Sequence, residues 1–269
     1  VSLKAEPFIS VLLEINILPS YRKFKYPNTM KSLPLASLLL LLWTQSMPFA
    51  QAQTTDAHAQ TINHPIRLAA DLKADESRKP AQFLSFAKVK PGDQVLDLAS
   101  GGGYTSQLIA LAVQPGGKVW AQIDKPSAAL ASRLSQNPQP YLQSFIKGFE
   151  NPIPENALPL DLVTIVLSYH DVAFLPLNRH LMNQSVFKAL KSGGHYVVID
   201  HAAKNGTALR DIKTIHRIDQ SVVIQDILAA GFLLEAESGE WRNPNDPREE
   251  MFSKMSQRDD RFALRFVKP

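Results

Sequence analysis

Three groupings of histidine and aspartate stand out in the chain: Tyr169-His170-Asp171, Asp200-His201, and His216 with Asp219. An imidazole can take or give a proton near neutrality, and a carboxylate beside it fixes which nitrogen carries the hydrogen. The same residue types, as mixed nitrogen and oxygen donors, suit several first-row divalent metals. Two forms of chemistry follow. In the first, His170 or His201 is a general base that removes a proton from an acceptor hydroxyl or nitrogen, with Asp171 or Asp200 orienting it. In the second, Asp171 and Asp200 with His201 or His216 bind a divalent metal that holds acceptor oxygens. The first takes precedence. Each residue alone has a structural use, since histidine can cap a strand and Asp219 is a good helix N-cap. The weight lies in their positions, at strand ends and just before a helix, where a parallel sheet would gather them on one edge.

A second feature supplies a place for a ligand. Val95–Ala110 reads VLDLASGGGYTSQLIA: strand, acidic residue, glycine-rich turn, helix. Glycines there let the backbone approach a ligand and adopt positive φ without a Cβ clash. A phosphate-binding P-loop would need Gly-Lys followed by Ser or Thr, and no lysine stands here. A dinucleotide fingerprint fits poorly, because Ser106 occupies the place of its third small residue. A nucleoside-type cofactor without phosphates needs neither a lysine nor an arginine in the loop.

The surrounding pattern alternates strand and helix. Strands are expected at 94–99, 118–123, 161–168, 195–200, 232–238 and 262–268, with 141–147 ambiguous between a helical turn and a third strand. Helices are expected at 104–113, 127–134, 178–190 (stopped by Gly193-Gly194) and 218–230. Ser77 is expected to cap another through RKPAQFLSFAKV, and residues 53–76 to be irregular, with at most a helix near 66–73. Such alternation argues for a mostly parallel sheet covered by helices on both faces. The last two strands lack a helix-length crossover, which predicts an antiparallel strand at the sheet edge. Trp241-Arg242-Asn243-Pro244 reads as a lid or edge turn, and 251–261 as an exposed charged loop.

The strand-loop-helix resembles motif I of the class I S-adenosylmethionine-dependent methyltransferases, D/E-x-G-x-G-x-G. Asp97 is the acid, Gly101 and Gly103 match the second and third glycines, and Ala99 replaces the first. The body is similar more specifically to a group of exported bacterial methyltransferases, through SRKPAQFLSFAKVKPGDQVLDLASGGGYT, DLVTIVLSYHD, LKSGGHYVVIDHAA, HRID, AAGF, RNPNDPR and DRFALRFVKP. These stretches run from about residue 66 to the C-terminus. The resemblance implies a doubly wound α/β fold with a seven-stranded, mostly parallel sheet and an antiparallel last strand. It also implies S-adenosylmethionine as cofactor, contacted by Asp97, Ala99, Gly101, Gly103, Tyr104 and Thr105. A Tyr104 or Tyr169 ring face, with Asp97, would favour the sulfonium cation. The family's second strand ends in an acid for the ribose hydroxyls, but Ile123 stands there, leaving Asp124 or Gln122 to serve. Glu150 and Asn151 are candidates to face the adenine; Arg78 and Lys79 read first as a solvated helix start, with an approach to the cofactor's carboxylate as the alternative.

Charge and the N-terminal segment bear on partners. The formal charge of +4 is uneven: residues 1–52 hold five bases and two acids, leaving 24 bases against 23 acids in the rest. That near-neutral body shows no gathered basic face of the kind a nucleic-acid partner needs. Met30 and Lys31 precede an 11-residue apolar run, Leu33–Trp43, shorter than the roughly 20 residues of a membrane-spanning helix. With Ala50-Gln51-Ala52 as cleavage site, Met30–Ala52 reads as a signal peptide, giving an exported, periplasmic protein without a stable membrane span. Residues 1–29 read as an upstream extension created by a misplaced start, or as an anchor at 8–18. The absence of cysteine excludes disulfides and thiolate sites. The expectation is methyl transfer to a small-molecule acceptor by a domain over 77–269. The rival is an exported, non-catalytic or repurposed domain that binds another small ligand or a protein partner.

Overall fold

In a computed structural model of the chain, residues 58–157 and 159–269 are described. The signal-peptide and upstream-extension readings fall outside the described residues. The chain runs through α1 (Ala69–Arg78), α2 (Pro80–Phe86), β1 (Gln94–Leu98), α3 (Tyr104–Ala112), β2 (Lys118–Ile123) and α4 (Ala128–Gln136). It continues through β3 (Leu142–Ile146), β4 (Leu160–Val166), α5 (Tyr169–Phe174), α6 (Arg179–Ala189) and β5 (Leu190–His201). α7 (Ile212–Ile215), α8 (Gln220–Leu228), β6 (Leu233–Ser238), a 3₁₀ turn (Phe252–Lys254) and β7 (Arg261–Val267) complete it.

The strands form one seven-stranded sheet in the order β3-β2-β1-β4-β5-β7-β6. β7 runs antiparallel to β5 and to β6, and the other neighbouring pairs are parallel. The antiparallel strand is therefore last in the chain, as expected, but β6 rather than β7 forms the edge. Strand alternation shows why. β6 alternates exposed and half-buried residues, as one edge strand can, whereas β7 is buried along most of its length.

Both faces of the central strands are apolar because both are covered. Leu96, Leu98, Val163, Ile165, Tyr196 and Val198 pack under α5, α6 and α8 through residues such as Val172, Met182, Val186 and Ile227. The alternate residues Val95, Val119, Leu162, Val197 and Ile199 pack under α2, α3 and α4 through Phe83, Leu84, Leu108, Ile109 and Leu130. Helix starts follow side-chain caps: Ser127, Asn178 and Asp219 each accept a backbone N–H of the first turn.

Local expectations are refined in three places. The helix allowed near 66–73 runs over Ala69–Arg78, and Ser77 lies in its last turn instead of capping the next helix. The break comes at Lys79 (φ 51°), with Pro80 opening α2. Gly193-Gly194 does not stop α6, because β5 begins directly at Leu190. The pair sits in an excursion where the β4–β5 register jumps from Leu160↔Leu190 to Leu162↔His195. The ambiguous stretch before Gly148 is strand β3, not a helical turn.

Candidate active site

β1 and β4 end side by side, and the chain leaves both through left-handed backbone: Ala99 at φ 51° and Leu167 at φ 57°. Non-glycine residues held there store strain, a feature that gathers where the surrounding structure shapes a ligand site. Ala99 is the position where the motif carries glycine. Ala99→Gly is expected to raise stability by up to about 1 kcal/mol, the looser unfolded chain offsetting part of the relief. Thermal unfolding checks this, and a clear drop in Tm contradicts it.

Beyond these strand ends lie two cavities that share Ala99, Gly101 and Ser168. The larger, of 540 Å³, is lined by Ile123, Asp124, Phe149, Asp171, Val172 and Phe174 among others. Apolar side chains make up most of its walls, with Asp171 on one of them and the exposed Asp124 just past the end of β2. The smaller, of 220 Å³, is lined by Asp97, Tyr104, Thr105, Arg133 and Arg78. Gly101 (φ +57°) fits here because a Cβ there would be strained.

Three charged side chains, Asp97, Arg78 and Arg133, line the smaller cavity. Asp97 is 1% exposed and accepts hydroxyl hydrogens from Ser106 (2.5 Å) and Thr164 (2.7 Å). Burial pushes its pKa up to about 6, against the pull of those hydroxyls and of Arg78. Arg78 ends α1, its carbonyl accepting from Trp241 Nε1 and its guanidinium lying 4.7 Å from the centre of the Tyr104 ring. Among the described residues no ion pair or side-chain hydrogen bond engages that guanidinium. Burial and the charge of Arg261 lower its pKa, so an anion placed against it would relieve both. Tyr104 is itself fixed by donating to Asp75 at 2.6 Å.

The sign of the Asp97 shift gives a prediction. A carboxyl whose pKa is raised by folding binds protons more tightly folded than unfolded, so its effect on stability falls as pH rises between the two values. A cationic ligand favours the ionised form. Affinity for a cationic ligand in this cavity is therefore expected to rise from about pH 5 to about pH 7 and then level off. Titrations across that range check it, and a falling affinity contradicts it.

Of the second cluster, His170, Asp171, Asp200, His201 and His216 come together, with one unforeseen partner, and Tyr169 and Asp219 do not. His170 lies in the first turn of α5; its Nδ1 lies 2.8 Å from Asp200, its backbone N–H donates to the same carboxylate, and Nε2 is 3.3 Å from Asp171. His201 lies 5.4 Å from His170 between ring centres, and His216 6.1 Å from it. Burial opposes a charge on His170, but Asp200 and Asp171 outweigh it and push the pKa up to about 10. Burial dominates at His201 and lowers its pKa. Its Nδ1 is 2.5 Å from Asp259, which Arg261 grips through Nε and Nη2. Arg261 and His201 hold the Asp259 carboxyl far below the usual range against its burial.

Other expected site residues lie elsewhere. Gln122 is wholly buried, its Oε1 accepting from Ala99 N (2.9 Å) and its Nε2 donating to Lys147 O (2.5 Å). It ties the loop after β1 to the end of β3, leaving Asp124 to face the cleft. Gly103 lines neither cavity; a Cβ there would come within 2.6 Å of Leu130 Cδ1, so helix packing demands this glycine. Tyr169 turns into the core, where its hydroxyl donates to Asp226 and accepts from Asn183. Glu150 accepts from Asn178 N rather than facing the larger cavity; Phe149 lines that wall instead. Asp219 is the N-cap of α8. Asp171, Asp200 and His201 do not form a metal site: both Asp200 oxygens accept N–H groups, and among the described residues no three metal-ligating side chains are placed to share an ion.

The C-terminal loop also differs from expectation. Trp241 is a core plug beside Phe86 rather than a lid. Asp259, Asp260 and Arg261 are buried, and Arg217 pairs with Asp246 in the interior at 2.8 Å.

This strand order, its antiparallel seventh strand and a ligand cleft at the carboxyl ends of β1 and β2 define a Rossmann-like methyltransferase fold. Among solved structures, the chain is similar to an S-adenosylmethionine-dependent methyltransferase from Aquifex aeolicus. That likeness spans 82% of this chain and 100% of the other, with 14% identity and TM-score 0.55. A second such enzyme, from Mesorhizobium loti, matches over 71% and 97% of the two chains, with 15% identity and TM-score 0.52. A glycopeptide N-methyltransferase solved with sinefungin matches over 72% and 86%, with 17% identity and TM-score 0.51. No family model matches the chain.

Proposed function

We propose that this protein transfers the methyl group of S-adenosylmethionine to a small-molecule acceptor, after export under the leader Met30–Ala52. The observation that carries the reading is the smaller cavity, lined both by a guanidinium (Arg78) with no counter-charge among the described residues and by a buried carboxylate (Asp97). An α-amino-acid end, carboxylate at one side and ammonium at the other, matches that pair of charges. The residues present therefore fit the cofactor. Arg78 and Asp97 would hold its methionine end, Asp124 its ribose hydroxyls, and Ile123, Phe149 and Val172 the adenine.

When bound, the cofactor supplies an electrophilic methyl on a sulfonium. The chain's own part is to orient and to move a proton. Asp200 and Asp171 favour the charged form of His170 over its burial, which leaves His201 as the base in this reading. His201, kept uncharged by burial and oriented by Asp259 at Nδ1, leaves Nε2 for an acceptor proton. The base reading thus moves from either histidine to His201. The non-catalytic alternative has less support, because a domain freed from cofactor binding has no need to hold Arg78 without an anionic partner.

The test is a methyl-transfer assay. Purified protein, methyl-labelled S-adenosylmethionine and a small-molecule cell extract are expected to give label in the low-mass fraction, and Asp97→Ala to abolish it. Label absent from that fraction under all conditions contradicts the proposal. Export is tested separately by sequencing the N-terminus of protein recovered from cells, expected to begin at Gln53.

A further inference from the structure

One aromatic side chain in the second cluster is placed unlike those of the core. Phe252, in the 3₁₀ turn, lies face to face with the His201 imidazole, ring centres 3.7 Å apart and planes 7° from parallel. It meets His170 edge-on at 6.3 Å and 73°. The imidazoles themselves stand at 70°. They form a corner that accepts one flat ring, stacked on one wall and edge-on to the other, an arrangement that aromatic quadrupoles favour and a saturated ring does not.

The two sides of this contact are held very differently. His201 is a rigid platform: Nδ1 is fixed by Asp259, Asp259 by Arg261, and its backbone N–H by Asp200. Phe252 is carried on a single short turn and followed by the exposed Ser253, Lys254, Ser256 and Gln257. The turn closes on itself through Lys254 N to Met251 O and Met255 N to Phe252 O, with Arg217 donating to Met255 Sδ. Moving the ring breaks few contacts, and such segments open at low cost. One residue links the corner to the larger cavity: Asp171, 3.3 Å from His170 Nε2, is among the residues that line it.

We propose that the methyl acceptor is a planar aromatic compound that takes the place of the Phe252 ring against His201, with Asp259 as the residue positioning that imidazole. The proposal rests on the methyltransferase reading and names its substrate class. Phe252 then acts as a stand-in that keeps the corner dry until the acceptor arrives.

The test compares p-cresol with 4-methylcyclohexanol, its saturated counterpart, by calorimetric titration of the full chain. p-Cresol is expected to bind the wild-type protein more tightly than the saturated alcohol. Phe252→Ala is expected to raise p-cresol affinity by about 2–10-fold, the range of one aromatic stacking contact, and to leave the saturated alcohol unchanged. Adding His201→Ala is expected to erase that gain. Equal binding of the two probes, or no gain in Phe252→Ala, overturns the proposal. Phe252→Leu, which keeps bulk without a π-face, is expected to show a gain as well and serves if the alanine variant does not fold. S-adenosylhomocysteine binding measured on the same samples separates the two readings. If it persists while aromatic selectivity is absent, only this inference fails; if it is absent from the wild-type protein, the methyltransferase reading fails.

Discussion

Arg78→Ala is expected to weaken binding of S-adenosylhomocysteine by about 10–100-fold and to leave 5′-methylthioadenosine binding unchanged. The first ligand carries the amino-acid end and the second lacks it, so the difference isolates the smaller cavity. A hydrogen-bonded charge pair contributes about 1.5–3 kcal/mol, which sets the range. Stability should change little, because removing Arg78 ends its repulsion with Arg261 while losing its contact with Tyr104. Arg78→Lys keeps the charge but loses the planar fork, and is expected to fall between the two. Equal weakening of both ligands, or of neither, would place the amino-acid end elsewhere.

Asp71→Ala is expected to cost roughly 3–5 kcal/mol of stability, because it leaves Arg133 charged, buried and without its carboxylate. The pair joins α1 to α4 through two bonds, Nη1 to Oδ2 at 2.6 Å and Nη2 to Oδ1 at 2.8 Å. Arg133 Nε also donates to the Gly102 carbonyl at 2.7 Å, so the ion pair braces the underside of the glycine loop. Burial alone would raise the Asp71 pKa, but Arg133 and the Leu68 N–H hold it below the usual range. The double replacement Asp71→Ala/Arg133→Met is expected to recover part of the loss, since no buried charge is then left unpaired. Denaturant unfolding measures all three variants. A loss under about 1 kcal/mol for Asp71→Ala would mean that water reaches Arg133 and the brace is not needed.

The sequence made the sheet legible because both of its faces are buried, so each inner strand appears as an apolar run bounded by turn residues. Ser127, Asn178 and Asp219 marked their helices through side chains that satisfy the first backbone N–H groups. The position of β7 between β5 and β6 was not legible, since pairing order depends on which faces meet in space rather than on spacing along the chain. The cluster of His170, His201 and His216 could be anticipated from strand ends alone. Its orienting carboxylate could not: Asp259 comes from a charged run that looks solvent-exposed, and Arg261, two residues on in a strand, gives the only local hint. The Asp71–Arg133 brace spans 62 residues of sequence and leaves no local trace. Gln122 misled for the opposite reason. It occupies nearly the right place in sequence for a ribose contact, yet a buried amide with both ends bonded is a cross-link.

Arg78 shows how a weak sequence hint becomes a strong structural one. At the end of a helix a basic residue is ordinary, and it favours the helix dipole. What distinguishes it is that no described residue supplies a counter-charge, beside a cavity that Asp97 also lines.

The central claim, that the two cavities together hold a nucleoside-linked amino acid, is tested most directly by calorimetric titration of the full chain with S-adenosylhomocysteine. The account predicts one ligand per chain, with affinity reduced by Asp97→Ala and Arg78→Ala. No heat and no thermal shift at millimolar ligand would contradict it.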